Sequence, residues 1–489
     1  MSDLEKYFQQ FRKNIIGIDA EYETPCGIQK IHYGDWIASG RLYGPIERLL
    51  CEKFGPFVAN THTEASETGT RMTQSYHHAH ELIKKYVNAG PNDVIITAGS
   101  GMTTVVNKLQ RILGLKGCGK LANKDCLEKS DKPVVFITHM EHHSNQTSWY
   151  ETNAEVVVLE PDENLLVNPE SLRENLEQYK NRDFKVGSFT ACSNVTGIRT
   201  PFHELAKIMH ENGGLCFIDF AASAPYEEIN MHPDDPLKKL DAIFFSPHKF
   251  LGGPGSSGVL IFDSSMYHSD VPDNPGGGTV DWTNPWGSYK YVDNIESRED
   301  GGTPGFLQAF KAALTFKLKE QMGIDNIVKR EEELVKMAFE ELKKIPGINI
   351  LGDNVEERLG IISFYHEEIH FNLLVKILSD RFGIQVRGGC ACAGTYGHYL
   401  LEVSYDRSKE ITEKINHGDL SEKPGWVRWS LHPTMLDSEI TYFAESLGAI
   451  IQNISDWRED YIYVKNKNEF FHKDLADHPS FEVNDWFEL

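Results

Sequence analysis

Cysteine is scarce in this sequence, with eight residues in a chain of 489. Cys26, Cys51, Cys118, Cys126, Cys192 and Cys216 follow no repeated spacing, which excludes a disulfide framework and reads as a set of reduced, structural residues. Long apolar runs are missing too. None approaches the roughly 20 residues a membrane helix needs. The opening MSDLEKYFQQFRKNIIG mixes both charges and has no apolar signal-peptide core, so the expected location is the cytoplasm. Positive charge is in deficit: 49 Lys and Arg against 72 Asp and Glu leave a formal charge of −23. Such a surface disfavours nucleic acid and anionic membrane as partners. The glycine-rich turn at Gly99 to Thr104 matches neither the dinucleotide fingerprint nor the lysine-bearing nucleotide loop, which argues against NAD and ATP.

What is present is the composition of a globular enzyme, 40% hydrophobic and 25% charged, long enough for more than one domain. Asp3 to Asn14 reads as an amphipathic helix with Leu4, Tyr7, Phe8 and Phe11 on one face, docked on a later part of the chain. His62, His77, His78 and His80 do not pair at helical spacing with carboxylates and are expected to be solvated or capping, not metal ligands. Strands are predicted at 94–97, 134–138, 155–159, 185–191 and 215–219, with helices between them. That alternation implies a mainly parallel sheet covered on both faces. Beyond Gly305 long helical periods and shorter strands mark a smaller α/β domain. The expected division is an N-terminal segment 1–30, a large domain 31–310, a small domain 311–455 and an acidic, aromatic tail 456–489. The aromatic stretch 279–300 reads as the rim of an active-site mouth or a subunit contact, and 404–423 as a polar surface excursion.

Chemistry gathers where strands end. The apolar runs Leu215 to Ile218 and Ala242 to Phe245 lead straight into Asp219 and into Ser246-Pro247-His248-Lys249, at the sheet edge where open α/β folds bind ligands. A buried amine beside a carboxylate is what pyridoxal phosphate requires, a Schiff-base lysine and an acid for the ring nitrogen. Gly99 to Thr104 offers the free N–H groups of a helix start to a phosphate. His142 and Asn194 each follow a strand and add polar groups to the same edge. The alternative for Lys249 is a solvated lysine in a glycine-rich turn, with Asp219 as a helix cap.

Taken in order, SGMT at Ser100, EHHSN at Glu141, SNVTG at Ser193, Asp219, FSPHK ending at Lys249 and GTPG at Gly302 resemble the class V aminotransferase group of fold-type I pyridoxal-phosphate enzymes. Within that group they are similar to the cysteine desulfurase and selenocysteine lyase families. The resemblance implies that Lys249 carries the cofactor, Asp219 pairs with the ring nitrogen, His142 stacks on the ring and Asn194 lies near the ring hydroxyl. Gly101, Met102 and Thr103, with Ser246 and His248, would hold the phosphate. Thr303 would reach it from a second subunit, which implies a homodimer with shared sites. One position departs: desulfurases usually carry a glutamine three residues after the aspartate, where this chain has Ala222.

Two further clusters bear on the reaction. Arg387 is placed to clamp a carboxylate, and Cys390 or Cys392 in RGGCACAGT offers a nucleophile on a mobile glycine-rich loop. By resemblance, a desulfurase nucleophile stands five residues after such an arginine, which selects Cys392; the R-x-G-C-x-C spacing also resembles molybdenum-cofactor sulfurases. A zinc site would need more ligands than the nearby His398 supplies, so no metal is expected. Arg428, inside the apolar WVRWS, must meet an anion, and the resemblance makes that the substrate α-carboxylate. The function implied is removal of sulfur or selenium from a cysteine-type amino acid through a persulfide, with a sulfur-acceptor protein as a further partner. A transaminase or other lyase with incidental cysteines is the alternative, and a cofactor-free scaffold is a third.

Overall fold

The computed structural model describes residues 2–116, 132–475 and 483–488. Cys118 and Cys126 lie outside the described residues. Seven strands form the main sheet: β1 (Asp93–Ala98), β2 (Val134–Thr138), β3 (Glu155–Leu159), β4 (Lys185–Thr190), β5 (Leu215–Asp219), β6 (Ala242–Phe245) and β7 (Gly258–Asp263). Their order is β1-β7-β6-β5-β4-β2-β3. Strands β2 to β6 pair in parallel. Every residue of β2, β4 and β6 is buried, which is why β2 and β6 read as apolar runs and not as an alternation. Strand β7 was not anticipated. It runs antiparallel to both β6 and β1, because the chain after β6 forms the lysine turn and a glycine-rich return with no helix to carry a parallel crossover.

A second sheet holds β8 (Ile348–Ile350), β9 (Ile361–His366), β10 (Arg387–Gly389) and β11 (Trp426–Ser430), all antiparallel in the order β8-β9-β11-β10. The helices framing the two sheets and the space between them include α1 (Asp3–Arg12), α2 (Met102–Ile112), α3 (His143–Tyr150), α4 (Ile324–Leu342), α5 (Phe371–Phe382) and α6 (Asp437–Trp457). Trp429 on β11 stacks on Phe443 of α6 with ring centroids 3.8 Å apart. Helix α1 starts at Ser2, whose hydroxyl accepts the Glu5 N–H. It buries Phe8 and Phe11 in this second core, each contributing about 2 kcal/mol. Arg12 ties it to Glu439 of α6 at 2.9 Å.

One local expectation changes, and three stretches take definite form. His80 is neither solvated nor capping. It is buried beside Tyr76 and lies 3.2 Å from the Thr97 hydroxyl, and burial pushes its pKa down to about 3. The 404–423 excursion contains a helix, Tyr405–Asn416, that buries only Ile411. The aromatic 279–300 stretch forms a hairpin, Val280–Thr283 with Tyr289–Tyr291, whose Trp286 is 86% exposed. After α6 the chain forms a hairpin, Tyr461–Val464 with Glu469–His472, that lays Phe470 5.3 Å from the His370 ring at the start of α5. No helix among the described residues is long and apolar enough to cross a membrane.

Candidate active site

Lys249 closes a tight turn directly after β6, its N–H donating to Ser246 O at 3.1 Å. Backbone packs on this turn at van der Waals limits. A Cβ at Gly40 would stand 1.9 Å from Phe250 O, and one at Gly253 1.9 Å from Pro247 O, so both positions need glycine for close approach. The Gly40 N–H also donates to His248 O at 2.9 Å. The half-buried lysine lines a cavity of about 210 Å³ between the two sheets. Loss of water around its amine lowers its pKa to about 8; Asp219 opposes that shift, and Arg428 and Arg387 add to it.

Asp219 is the last residue of the neighbouring strand β5, buried, with its carboxylate accepting the Ala221 N–H at 2.8 Å. Burial raises its pKa to about 6. At the start of α2, Ser246 Oγ accepts the Met102 N–H at 2.9 Å, and Thr103 Oγ1 lies 2.7 Å from Ser144 Oγ. A Cβ on Gly101 would come within 3.0 Å of Ser246 Oγ and 3.5 Å of His248 Nε2, so glycine keeps this cradle open. His142 caps α3 by accepting the Ser144 N–H at Nδ1. Burial, then the charge of Lys249, hold its pKa down at about 3, and the same causes hold His248 near 4. Both rings are therefore neutral. Beneath them Glu141 is fully enclosed, accepts from Thr138, Asn145 and Thr190, and is raised by burial to about 7.

The opposite wall comes from the small sheet. Arg387 and Arg428 are direct cross-strand partners of β10 and β11, a like-charge pairing that is unfavourable by itself. Asp35 relieves it: Oδ1 accepts from Arg428 Nη2 at 2.9 Å and Oδ2 from Arg387 Nε at 3.2 Å. Beyond β10 the Ala393 N–H donates to Cys390 O at 3.1 Å, while Ala391 and Cys392 both take positive φ, 50° and 57°. This is a type I′ turn without the glycine or asparagine that usually fills it, at about 1–2 kcal/mol of strain per residue. The loop makes three hydrogen bonds to residues that follow strands of the main sheet. The His143 N–H donates to Cys392 O and Asn194 Nδ2 to Ala391 O, both at 2.7 Å, and the Gly394 N–H donates to His143 Nε2 at 3.0 Å. Three bonds worth about 1 kcal/mol each are of the size of the strain they hold.

Every expected site residue lines this one cavity except Thr303. Thr303 is exposed, next to Gly302, whose carbonyl lies 2.8 Å from His62 Nε2. Ala222 also lines it, with a methyl group where the expected glutamine would present an amide. Asp35 and Glu141 were missed. Asp35 carried one faint signal, an acidic residue inside the otherwise apolar and glycine-rich IHYGDWIASG.

Pyridoxal phosphate fits the residues present. Asn194 Oδ1 is buried with no partner among the described residues, the Gly101 cradle is open, and the desolvated amine of Lys249 shares the cavity with the carboxylate of Asp219.

A probable cysteine desulfurase from Halalkalibacterium halodurans is 28% identical over 366 residues, covering 74% of this chain and 84% of that protein. One from Staphylococcus aureus is 27% identical over 401 residues, covering 79% and 91%. Among solved structures, a cysteine desulfurase from Thermococcus onnurineus in its apo form superposes with a TM-score of 0.72 at 21% identity, over 91% of this chain and 98% of that one. The cysteine desulfurase CsdA from Escherichia coli gives 0.69 at 19% identity over the same shares. These two show the α/β fold. The sequence pattern of the aminotransferase class-V family matches residues 51–443, and the chain belongs to that family.

Proposed function

We propose that the protein is a pyridoxal-phosphate-dependent cysteine desulfurase that takes sulfur or selenium from a cysteine-type amino acid and leaves alanine. The observation that carries this reading is the sharing of one cavity by Lys249 and Asp219 on one wall and Cys392, Arg387 and Arg428 on the other. Gly101, Met102, Thr103, Ser246 and His248 would hold the cofactor phosphate, Asn194 its hydroxyl and His142 its ring face. Bound there, the cofactor supplies an electron sink for the pair left on the substrate α-carbon.

The chain's own groups do the rest. Lys249, with a pKa of about 8, has a neutral fraction at physiological pH and moves the α-proton. Asp219 holds a proton at the ring nitrogen, and the neutral His142 ring stacks without competing for it. Arg428 and Arg387 take the α-carboxylate. Cys392 Sγ attacks the substrate sulfur: a sulfur–sulfur bond forms, the carbon–sulfur bond breaks, and its electron pair stays on carbon, which gains a proton to become alanine. The persulfide left on Cys392 passes to an acceptor. A homodimer in which each Thr303 serves the other subunit's phosphate site belongs to the same reading.

The test is alanine and sulfide release from cysteine by a yellow, borohydride-sensitive protein. Cys392→Ala is expected to lose desulfuration by about 10³-fold. Full activity in that variant removes the persulfide step, and a colourless protein that takes up no pyridoxal phosphate sinks the reading. Ala222 favours a second reading, transamination or another β-elimination on the same core; retained turnover in Cys392→Ala with an amino-acid donor would support it.

A further inference from the structure

Cys390 and Cys392 stand two residues apart on one turn, yet they open onto different spaces. Cys392 lines the Lys249 cavity. Cys390 lines a second cavity, of about 550 Å³, bounded by α5 and the C-terminal hairpin, with Phe371, Lys423, Lys467 and Phe470 among its walls. The three hydrogen bonds that pin the turn use the carbonyls of Ala391 and Cys392 and the Gly394 N–H, so none is spent on a thiol. Two residues apart, the Cα atoms stand within roughly 7 Å, the limit within which two cysteine sulfurs can meet once their side chains turn toward each other.

The two spaces differ in what they can hold. At about 210 Å³ the inner one is the smaller, and cofactor and amino acid would occupy it. The outer one has room, and its charge is locally reversed. Lys423 and Lys467 face a single carboxylate, Glu469, among its described lining residues, and Lys376 is held by Asp380 at 2.9 Å. In a chain of net charge −23 this is a positive pocket.

Resting on the desulfurase reading, we propose that Cys390 is a second sulfur-carrying thiol, which relays sulfur from Cys392 to a small anionic thiol in the outer cavity. The Cys390 thiolate attacks the terminal sulfur of the Cys392 persulfide; a new sulfur–sulfur bond forms, the old one breaks, and Cys392 leaves as thiolate. Attack by the acceptor thiolate then repeats the exchange. Electrons and protons balance with no outside oxidant or reductant.

The experiment loads holoenzyme with one equivalent of cysteine without reductant, alkylates, and locates the extra sulfur by fragment mass spectrometry while alanine is measured in the same sample. Wild type is expected to carry sulfur on both Cys390 and Cys392. Cys390→Ala and Cys390→Ser are expected to carry it on Cys392 alone, and their multiple-turnover rate with mercaptopropionate should fall about tenfold relative to their own first-turnover burst. Lys467→Gln should slow mercaptopropionate more than neutral mercaptoethanol. Sulfur confined to Cys392 in wild type, unchanged turnover in both variants, or a Cys390–Cys392 disulfide with free sulfide each overturn the relay. Equal slowing of the two acceptors overturns the anionic one. No alanine from wild type brings down the desulfurase reading and the relay together, whereas alanine with sulfur on Cys392 alone brings down only the relay.

Discussion

The two walls of the Lys249 cavity are built on different principles. On the large-sheet side, Asp219 and Lys249 sit where neighbouring buried strands end, and the backbone behind them is held by the sheet ladder and by glycines that admit close packing. On the small-sheet side, two arginines face each other across strands and a cysteine rides a left-handed turn. Each arrangement there is unfavourable alone and is held by a group from elsewhere in the chain, Asp35 in one case and His143 with Asn194 in the other. One wall is rigid because its secondary structure is regular. The other is positioned by a few polar contacts, so it is the wall that single substitutions should disturb.

The comparison breaks most completely at Lys249. Lys249→Ala is expected to lower alanine release by 10³-fold or more and to abolish the borohydride-fixed linkage while the far-ultraviolet dichroism stays unchanged; a variant that retained the linkage would place the amine elsewhere. Asp35→Asn probes the other wall. Removing its charge leaves Arg387 and Arg428 opposed, with an expected loss of about 2 kcal/mol in urea unfolding and about tenfold in kcat/KM. Unchanged stability would mean the arginines do not need it.

Asp219 puts a price on the rigid wall that pH reveals. Its folded pKa of about 6 lies above the ordinary 3.8, so between those values the folded apo-protein binds more protons than the unfolded chain, and stability falls as pH rises through that window. Asp219→Asn is expected to stabilise the apo-protein at pH 7 by up to about 3 kcal/mol, to add nothing below pH about 4, and to weaken cofactor retention. Equal urea midpoint shifts at both pH values would contradict the assignment. The smallest effect is expected at Ala391→Gly, which relieves a positive φ and should raise stability by less than about 1 kcal/mol; a loss on thermal melting would show that the Ala391 methyl packs better than the turn strains.

Most of the rigid wall was legible beforehand because a parallel strand buried on both faces reads as an apolar run, and the first polar residue after it marks the sheet edge. That reasoning located Asp219, Ser246 and Lys249, and the glycine-rich helix start at Gly101. It failed at β7, whose direction depends on the absence of a crossover helix, and at His80, whose burial is decided by Tyr76 and Thr97 and not by its neighbours in sequence. Arg428 was recognisable as a charge in an apolar strand that must meet an anion, but the anion that meets it is Asp35, 393 positions away.

The sequence by itself determined the parallel strands of the main sheet, the lysine and the aspartate at the ends of adjacent strands, and the presence of an arginine and a thiol for the second wall, since these follow from local patterns of burial and polarity. Only the tertiary structure decided that Asp35 bridges the two arginines, that the cysteine turn is pinned, and that Cys390 and Cys392 face separate cavities. The physical reason is that strand register and turn handedness set where a side chain points, while the polar groups that hold these side chains and the turn come from positions about 200 to 390 residues distant.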